Sequence, residues 1–379
     1  MQDANAARLG VFNPVRQQRL RLPPVILLPD LVQFLFQVVG DGQRLVEPQS
    51  FFEALRLRLG GASHLHGLAL ESISESPRLD HLVKCLEQAR IVAERDPPTG
   101  FLGDLRPYQT RGHAWLYYLV DQGFGACLAD DMGLGKTIQA IVLILDWLNR
   151  AKAEGKERQP IMIVCPVSVL GNWRRELHKF APHLQVVLHH GKFRSREEAD
   201  YNQLTADHDV ILTSYSLLQR DEELIAKSIY GGVILDEAQN IKNPNTRQSK
   251  AARNLIGGFR IALTGTPLEN RPLDLWSIMD FLNEGLLGNK SHFLKTLEHP
   301  IVRQQSSTQA NVLAKLVRPF VLRRLKTDPD IIDDLPEKTE QVVLTGLSKE
   351  QAMLYEKVAN QEFQWCLQPN NQEKFIRTP

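Results

Sequence analysis

Between residues 101 and 281, short apolar runs alternate with stretches whose apolar residues recur every three to four positions. The runs predict buried strands and the stretches predict helices, and their alternation predicts βαβ units building a parallel sheet. Strands are expected at 124–129, 161–165, 186–188, 210–213, 233–235 and 261–263, with a helix over 138–148 directly after the first. Ahead of this region the pattern is less regular, with clusters such as Phe34-Leu35-Phe36 and Phe51-Phe52 and an amphipathic helix expected over 77–94. Asp96-Pro97-Pro98-Thr99-Gly100 then breaks any helix and reads as a linker. A last helix is expected over 348–365, followed by the polar tail Gln368-Pro369-Asn370-Asn371-Gln372.

In such sheets ligands bind beyond the carboxyl ends of the strands, and the polar clusters of this chain follow strand ends. The segment from Ala129 to Thr137, ADDMGLGKT, stands between the first strand and its helix, the context of a phosphate loop of Walker A type. Gly133 and Gly135 let backbone N–H groups turn toward phosphate oxygens at the positive end of the helix. Lys136 would reach the β- and γ-phosphates and the Thr137 hydroxyl would hold Mg²⁺. Asp130 occupies the place of the first glycine of that pattern. The strand Gly232 to Leu235 runs into Asp236-Glu237-Ala238-Gln239, a DEAQ motif. Asp236 is placed to hold Mg²⁺, directly or through water, and Glu237 to orient and deprotonate an attacking water. Pro166-Val167-Ser168, Thr213-Ser214-Tyr215 and Thr264-Gly265-Thr266 close three other strands, and their hydroxyls and helix-start N–H groups suit phosphate oxygens or plain helix capping. Trp173 reads as a packing residue, His189-His190 as structural, and Lys192, Arg194 and Arg196 as a local basic run.

Composition narrows the reading without adding to it. A chain of 379 residues, 43% hydrophobic and 23% charged, is that of a globular protein with room for two or three domains. With 45 basic against 44 acidic side chains, there is no global electrostatic case for nucleic acid, so any such case rests on local residues. The four cysteines are scattered without metal-ligand or disulfide spacing, which fits a reducing cytoplasm. The most apolar early stretch, 25–39, falls short of the roughly 20 residues that span a bilayer, so no membrane association is expected.

From Leu105 to Tyr355 the order of these segments resembles the Swi/Snf-type ATPases, a branch of the superfamily-two helicases that translocate on double-stranded DNA. The resemblance rests on Leu105-Arg106-Pro107-Tyr108-Gln109, Asp131 to Thr137, Pro166-Val167-Ser168 with Asn172-Trp173, Thr213-Ser214-Tyr215, Asp236 to Gln239 and Leu263 to Asn270. It continues through Asp274 to Ser277, Pro319 to Arg324, Leu335 to Lys338 and Gln351 with Leu354-Tyr355. It implies an α/β fold, a RecA-like P-loop lobe with a mainly parallel sheet flanked by helices, plus an N-terminal accessory region and C-terminal helical segments. The implied division is an accessory domain at 1–95, a linker at 96–103, an ATP-binding lobe at 104–285, a helical inter-lobe segment at 286–346 and the truncated start of a second lobe at 347–379.

The resemblance further implies a DNA-dependent ATP hydrolase using ATP and Mg²⁺, working in the cytoplasm and nucleoid-associated if bacterial. Gln109 would read the adenine edge, with Arg106, Met132 and Leu134 also on the nucleotide side. Pro166, Ser168, Thr213, Ser214 and Tyr215 would lie along the DNA backbone, and Gln239, Thr264, Gly265 and Thr266 would couple nucleotide state to DNA grip. Gln239 stands where the family usually has histidine, and the arginines of a second RecA-like lobe are not reached by Pro379. The chain is therefore expected to be the front part of a longer motor, truncated as a gene product or completed by a second polypeptide. A non-hydrolysing nucleotide- or DNA-binding interaction module is the alternative, and an RNA helicase a third reading.

Overall fold

The computed structural model describes residues 92–192, 194–265, 271–328 and 346–366, with shorter pieces ahead of residue 92 (34–40, 43–49, 52, 55–56, 64–65, 68–69, 84 and 86). The chain divides into two compact units, Met1–Ile332 and Asp333–Pro379. The expected helix at 77–94, Thr266 to Asn270, Leu335 to Lys338 and the tail after Cys366 lie outside the described residues, apart from residues 84, 86 and 92–94.

The first unit is built on β1 (Ala126–Leu128), β2 (Ile161–Cys165), β3 (Val186–Leu188), β4 (Val210–Ser214), β5 (Gly232–Asp236), β6 (Arg260–Leu263) and β7 (Val321–Leu322). They form one parallel sheet in the order β7-β1-β6-β5-β2-β4-β3. Every residue of β2, β4 and β5 is buried. Side chains alternate between the two faces of a strand, so both faces of the sheet are covered, as parallel sheets require. The covering helices include α1 (Pro107–Asp121), α2 (Lys136–Ala153), α3 (Val167–Phe180), α4 (Glu198–Asp207), α5 (Tyr215–Arg220), α6 (Arg247–Asn254), α7 (Pro272–Leu282) and α8 (Ser307–Val317). This is the parallel α/β architecture expected from the chain pattern, and the RecA-like lobe that the resemblance implies.

All six expected strands are present. β1 is shorter than its apolar run because Gly125 leaves the ladder: its N–H and C=O each bond the Asn283 side chain at 3.0 Å. β7 was not expected, and it lines the edge beside β1. Its ladder continues into the loop after β1, since Ala129 N–H donates to Leu322 O at 2.7 Å and Asp131 N–H to Arg324 O at 3.0 Å. The N-terminal region contributes to the same core, with Leu55 and Leu86 buried in it and the Phe52 ring 6.5 Å from Phe124. The stretch after it is pinned by Arg95, which bonds Asp146 of α2 at 3.0 and 3.2 Å, while His113 of α1 bonds the same carboxylate at 2.6 Å. Burial alone would raise the Asp146 carboxyl, yet these two partners hold it below the usual carboxylate range.

The second unit holds α9 (Lys349–Cys366), close to the expected helix. It starts with a reciprocal cap: Ser348 Oγ accepts from Gln351 N–H at 3.2 Å and Gln351 Oε1 accepts from Ser348 N–H at 3.0 Å. Among the described residues no helix is long and apolar enough to cross a membrane.

Arg324, just past β7, is buried and holds the edge together. Its Nε donates to Asp130 Oδ1 at 2.9 Å, a second nitrogen bonds Asp130 Oδ2 and Gln139, and the third bonds the carbonyl of Tyr108. Removing one member of a buried pair strands the other charge, which costs about 3–5 kcal/mol. Arg324→Met should therefore lose about that much in urea unfolding, and Arg324→Met combined with Asp130→Asn should recover part of the loss.

His189 is buried behind β4, with Asp221 at 3.0 Å and the Tyr201 ring edge-on at 5.3 Å; Arg194 binds the same Asp221 at 2.7 Å. Burial pushes the His189 imidazole down further than Asp221 pushes it up. The folded state thus keeps it neutral while the unfolded chain takes up a proton near pH ~6.5. Stability should fall as pH drops from 7.5 toward 5.5, and His189→Gln should make that fall shallower in urea titrations at the two pH values.

Candidate nucleotide site

Register fixes where the polar segments meet. Leu128 of β1 pairs with Leu263 of β6, and Leu263 with Asp236 of β5. On the other side of β5, Leu235 pairs with Val164 of β2, and Cys165 with Ser214 of β4. The residues that follow each strand therefore emerge along one edge: the glycine loop, Thr264-Gly265, the acid pair, Pro166 to Ser168, and Tyr215.

The glycine loop folds as its sequence requires. Gly133 and Gly135 have φ of 85° and 79°, and a methyl group at Gly135 would lie 2.4 Å from the Gln109 amide nitrogen. Gly135 begins α2 without any side-chain cap, which leaves first-turn N–H groups for an anion. Lys136 is half-buried and donates to the carbonyls of Asp130 at 2.8 Å and Asp131 at 3.3 Å. Burial pushes its ammonium down, against the upward pull of Glu237, Asp130, Asp236 and Asp131. The loop lysine and the acid pair thus share one electrostatic neighbourhood. Thr137 sits half-buried in the first turn of α2.

Asp236 is buried and Glu237 half-buried. Burial raises the Asp236 carboxyl, helped by the adjacent Glu237 charge and opposed by the Trp173 indole, the Glu237 N–H and Lys136. Glu237 has left-handed backbone, φ 50° and ψ 54°, which costs a non-glycine residue on the order of 1–2 kcal/mol. Asn240 supports that turn, its side chain donating to Glu237 O at 2.8 Å. Gln239 Nε2 donates to Glu237 Oε2 at 2.7 Å, and Thr264 Oγ1 donates to Gln239 Oε1 at 2.9 Å. The glutamine in the histidine position therefore bridges the acid and the threonine segment. Gly265 lies under Met132 of the glycine loop, 3.3 Å from the place of an added methyl; Thr266 lies outside the described residues.

The remaining expected residues fall as follows. Gln109 is buried on α1, its Oε1 accepting from Arg106 N–H at 3.0 Å and its Nε2 donating to Leu134 O at 3.3 Å, so its amide touches the glycine loop. Arg106 and Met132 are exposed beside it, and Leu134 is buried. Pro166 precedes α3 and Ser168 is exposed in its first turn. Thr213, Ser214 and Tyr215 are buried: none is more than 4% exposed. Their hydroxyls are used inside the lobe, Thr213 donating to His189 O at 3.1 Å, Ser214 accepting from Leu217 N–H at 3.4 Å and Tyr215 donating to Asp236 O at 2.8 Å. Arg194 is likewise committed to Asp221 and is not a free member of the basic run.

Sequence reasoning read Arg324 as structural or DNA-facing without giving it a partner, and it missed the Trp173 indole as a donor. Asp130 stood out only as a departure from the glycine pattern, and nothing in the sequence pointed to Arg324 as its partner. Trp173 was read as packing, and it is fully buried, but its Nε1 also donates to Asp236 Oδ2 at 2.7 Å.

Known proteins resemble this chain in sequence and fold. A family model described as an SNF2-related domain matches residues 108–377. The Bacillus subtilis protein named as ATP-dependent helicase/translocase YwqA is 46% identical over 288 residues, covering 76% of this chain and 31% of that protein. The Saccharomyces cerevisiae TATA-binding protein-associated factor MOT1 is 37% identical over 276 residues, covering 68% of this chain and 15% of MOT1. The solved SWI2/SNF2 ATPase core of Sulfolobus solfataricus in complex with dsDNA superposes with a TM-score of 0.57 at 43% identity, over 72% of this chain and 55% of that one. The chain thus spans about a third or less of these curated relatives and about half of the solved core. By the extent of the match, with a fold that agrees, the chain belongs to the SNF2-related domain family.

Proposed function

We propose that this lobe is the ATP-binding half of a motor that moves along double-stranded DNA and remodels protein–DNA complexes. The observation that carries the reading is Lys136 lying among Asp130, Asp131, Asp236 and Glu237 at one sheet edge. A lysine among acids at a glycine turn suits a triphosphate with a hard divalent cation, and Thr137 and Asp236 offer the oxygen donors Mg²⁺ prefers. Bound there, Mg²⁺ would neutralise charge between the β- and γ-phosphates.

The chain's own groups then have separate tasks. N–H groups of the glycine loop and the start of α2 hold phosphate oxygens, with Gly133, Leu134, Gly135 and Met132 shaping the turn. Gln109 and Arg106 flank the base side. Glu237 accepts the proton of an attacking water. Gln239 passes the position of Glu237 to Thr264 through two hydrogen bonds, and Thr264 with Gly265 and Thr266 couples nucleotide state to DNA grip. The exposed start of α3, Pro166 to Ser168, is the face offered to a DNA backbone. For β4 and α5 the contact falls to backbone groups, because the side chains of Thr213, Ser214 and Tyr215 point their hydroxyls inward. The neighbour solved with dsDNA supports this substrate over RNA.

Closing the site over the γ-phosphate takes arginines from a second lobe, since Arg324 is committed to Asp130 and Tyr108. An arginine finger is worth about 10³–10⁵ in turnover. A polypeptide of residues 1–379 should bind ATP yet hydrolyse it by about that factor more slowly than when completed by a second lobe; rapid DNA-stimulated release of phosphate by residues 1–379 alone would contradict the account.

Lys136→Ala should abolish ATP binding in titration calorimetry while leaving the thermal midpoint within a few degrees. In competition binding, duplex DNA should displace labelled duplex far better than single-stranded RNA does, and preference for RNA would overturn the choice of substrate.

A further inference from the structure

We infer that Trp173 is a positioning residue for the metal-facing carboxylate of Asp236, an assignment that rests on the nucleotide reading above. Asp236 carries two oxygens, each with two lone-pair directions. One direction on Oδ2 is taken by the Trp173 indole N–H at 2.7 Å, and one on Oδ1 by the Glu237 N–H at 2.9 Å. The main chain of the same residue is held as well, because Tyr215 Oη donates to Asp236 O at 2.8 Å. The carboxylate is thereby fixed in rotation, with one lone pair per oxygen left for a cation or its water.

The indole is suited to this and to little else. Its N–H donates and cannot accept, so it can neither coordinate a metal ion nor compete as a base. It is fully buried in α3, on the same face as Leu170 and Leu177, both also buried, which keeps the ring from swinging away. A hydrogen bond to an ionised carboxylate is about twice as strong as a neutral one. It also offsets part of the burial cost that raises the Asp236 carboxyl. Groups that orient a metal ligand in this way typically change metal affinity by about 10–100-fold when removed.

The test compares ADP affinity with Mg²⁺ and with EDTA for the 379-residue chain and for Trp173→Phe, which keeps a packed ring and deletes the N–H. The unaltered chain should gain affinity from Mg²⁺. Trp173→Phe should bind ADP in EDTA as the unaltered chain does, but its gain from Mg²⁺ should shrink by about 10–100-fold. An undiminished gain in Trp173→Phe overturns the assignment and leaves the nucleotide reading standing; no gain in the unaltered chain overturns both. A second measurement needs no variant: in chain labelled with ¹⁵N-tryptophan, one of the five indole N–H resonances should move when Mg²⁺ joins bound ADP. If all five stay in place, the assignment is wrong.

Discussion

The in-register pairing of parallel strands is the constraint on which everything else in this lobe depends. Because β1, β6, β5, β2 and β4 run the same way and pair with Leu128, Leu263, Asp236 and Ser214 near their ends, five polar segments far apart in sequence leave the sheet along one edge. A slip of one residue in β5 would turn Asp236 to the opposite face and break the row. The burial of β2, β4 and β5 on both faces opposes such a slip, since it would exchange the packed side chains of the two faces.

Charge balance at that edge is tight. Four carboxylates, Asp130, Asp131, Asp236 and Glu237, act on the single ammonium of Lys136. Arg324 pairs with both oxygens of Asp130, and it reaches the position from β7, the strand that follows the helical segment. The glycine loop is therefore braced from two sides, by α1 through Gln109 and by the edge strand through Arg324. Glu237 is held in a strained backbone state and tied through Gln239 to Thr264, so a shift at the threonine segment has a direct route to the acid.

The strands were legible because each is an uninterrupted apolar run, and the glycine loop because its glycines sit at the positions that need positive φ. β7 was not, since two residues carry no period and its partner strand lies far away in the chain. Asp130 looked anomalous in sequence, yet its partner follows it by 194 residues, a distance over which no local pattern operates. Thr213 to Tyr215 show the opposite difficulty. Hydroxyls at a strand end look like surface donors, but here they satisfy buried carbonyls and a helix start, which sequence alone does not separate from binding. Trp173 was legible as a core residue; the acceptor of its N–H, 63 residues on, was not.

Convergence of the glycine loop and the acid pair on a single bound group is the central claim. A crystal structure of the chain with a non-hydrolysable ATP analogue and Mn²⁺ tests it most directly. The account predicts the triphosphate in the turn from Gly133 to Thr137 and one anomalous peak between the Thr137 hydroxyl and the Asp236 carboxylate. A nucleotide bound elsewhere, or a metal peak remote from Asp236, would contradict it.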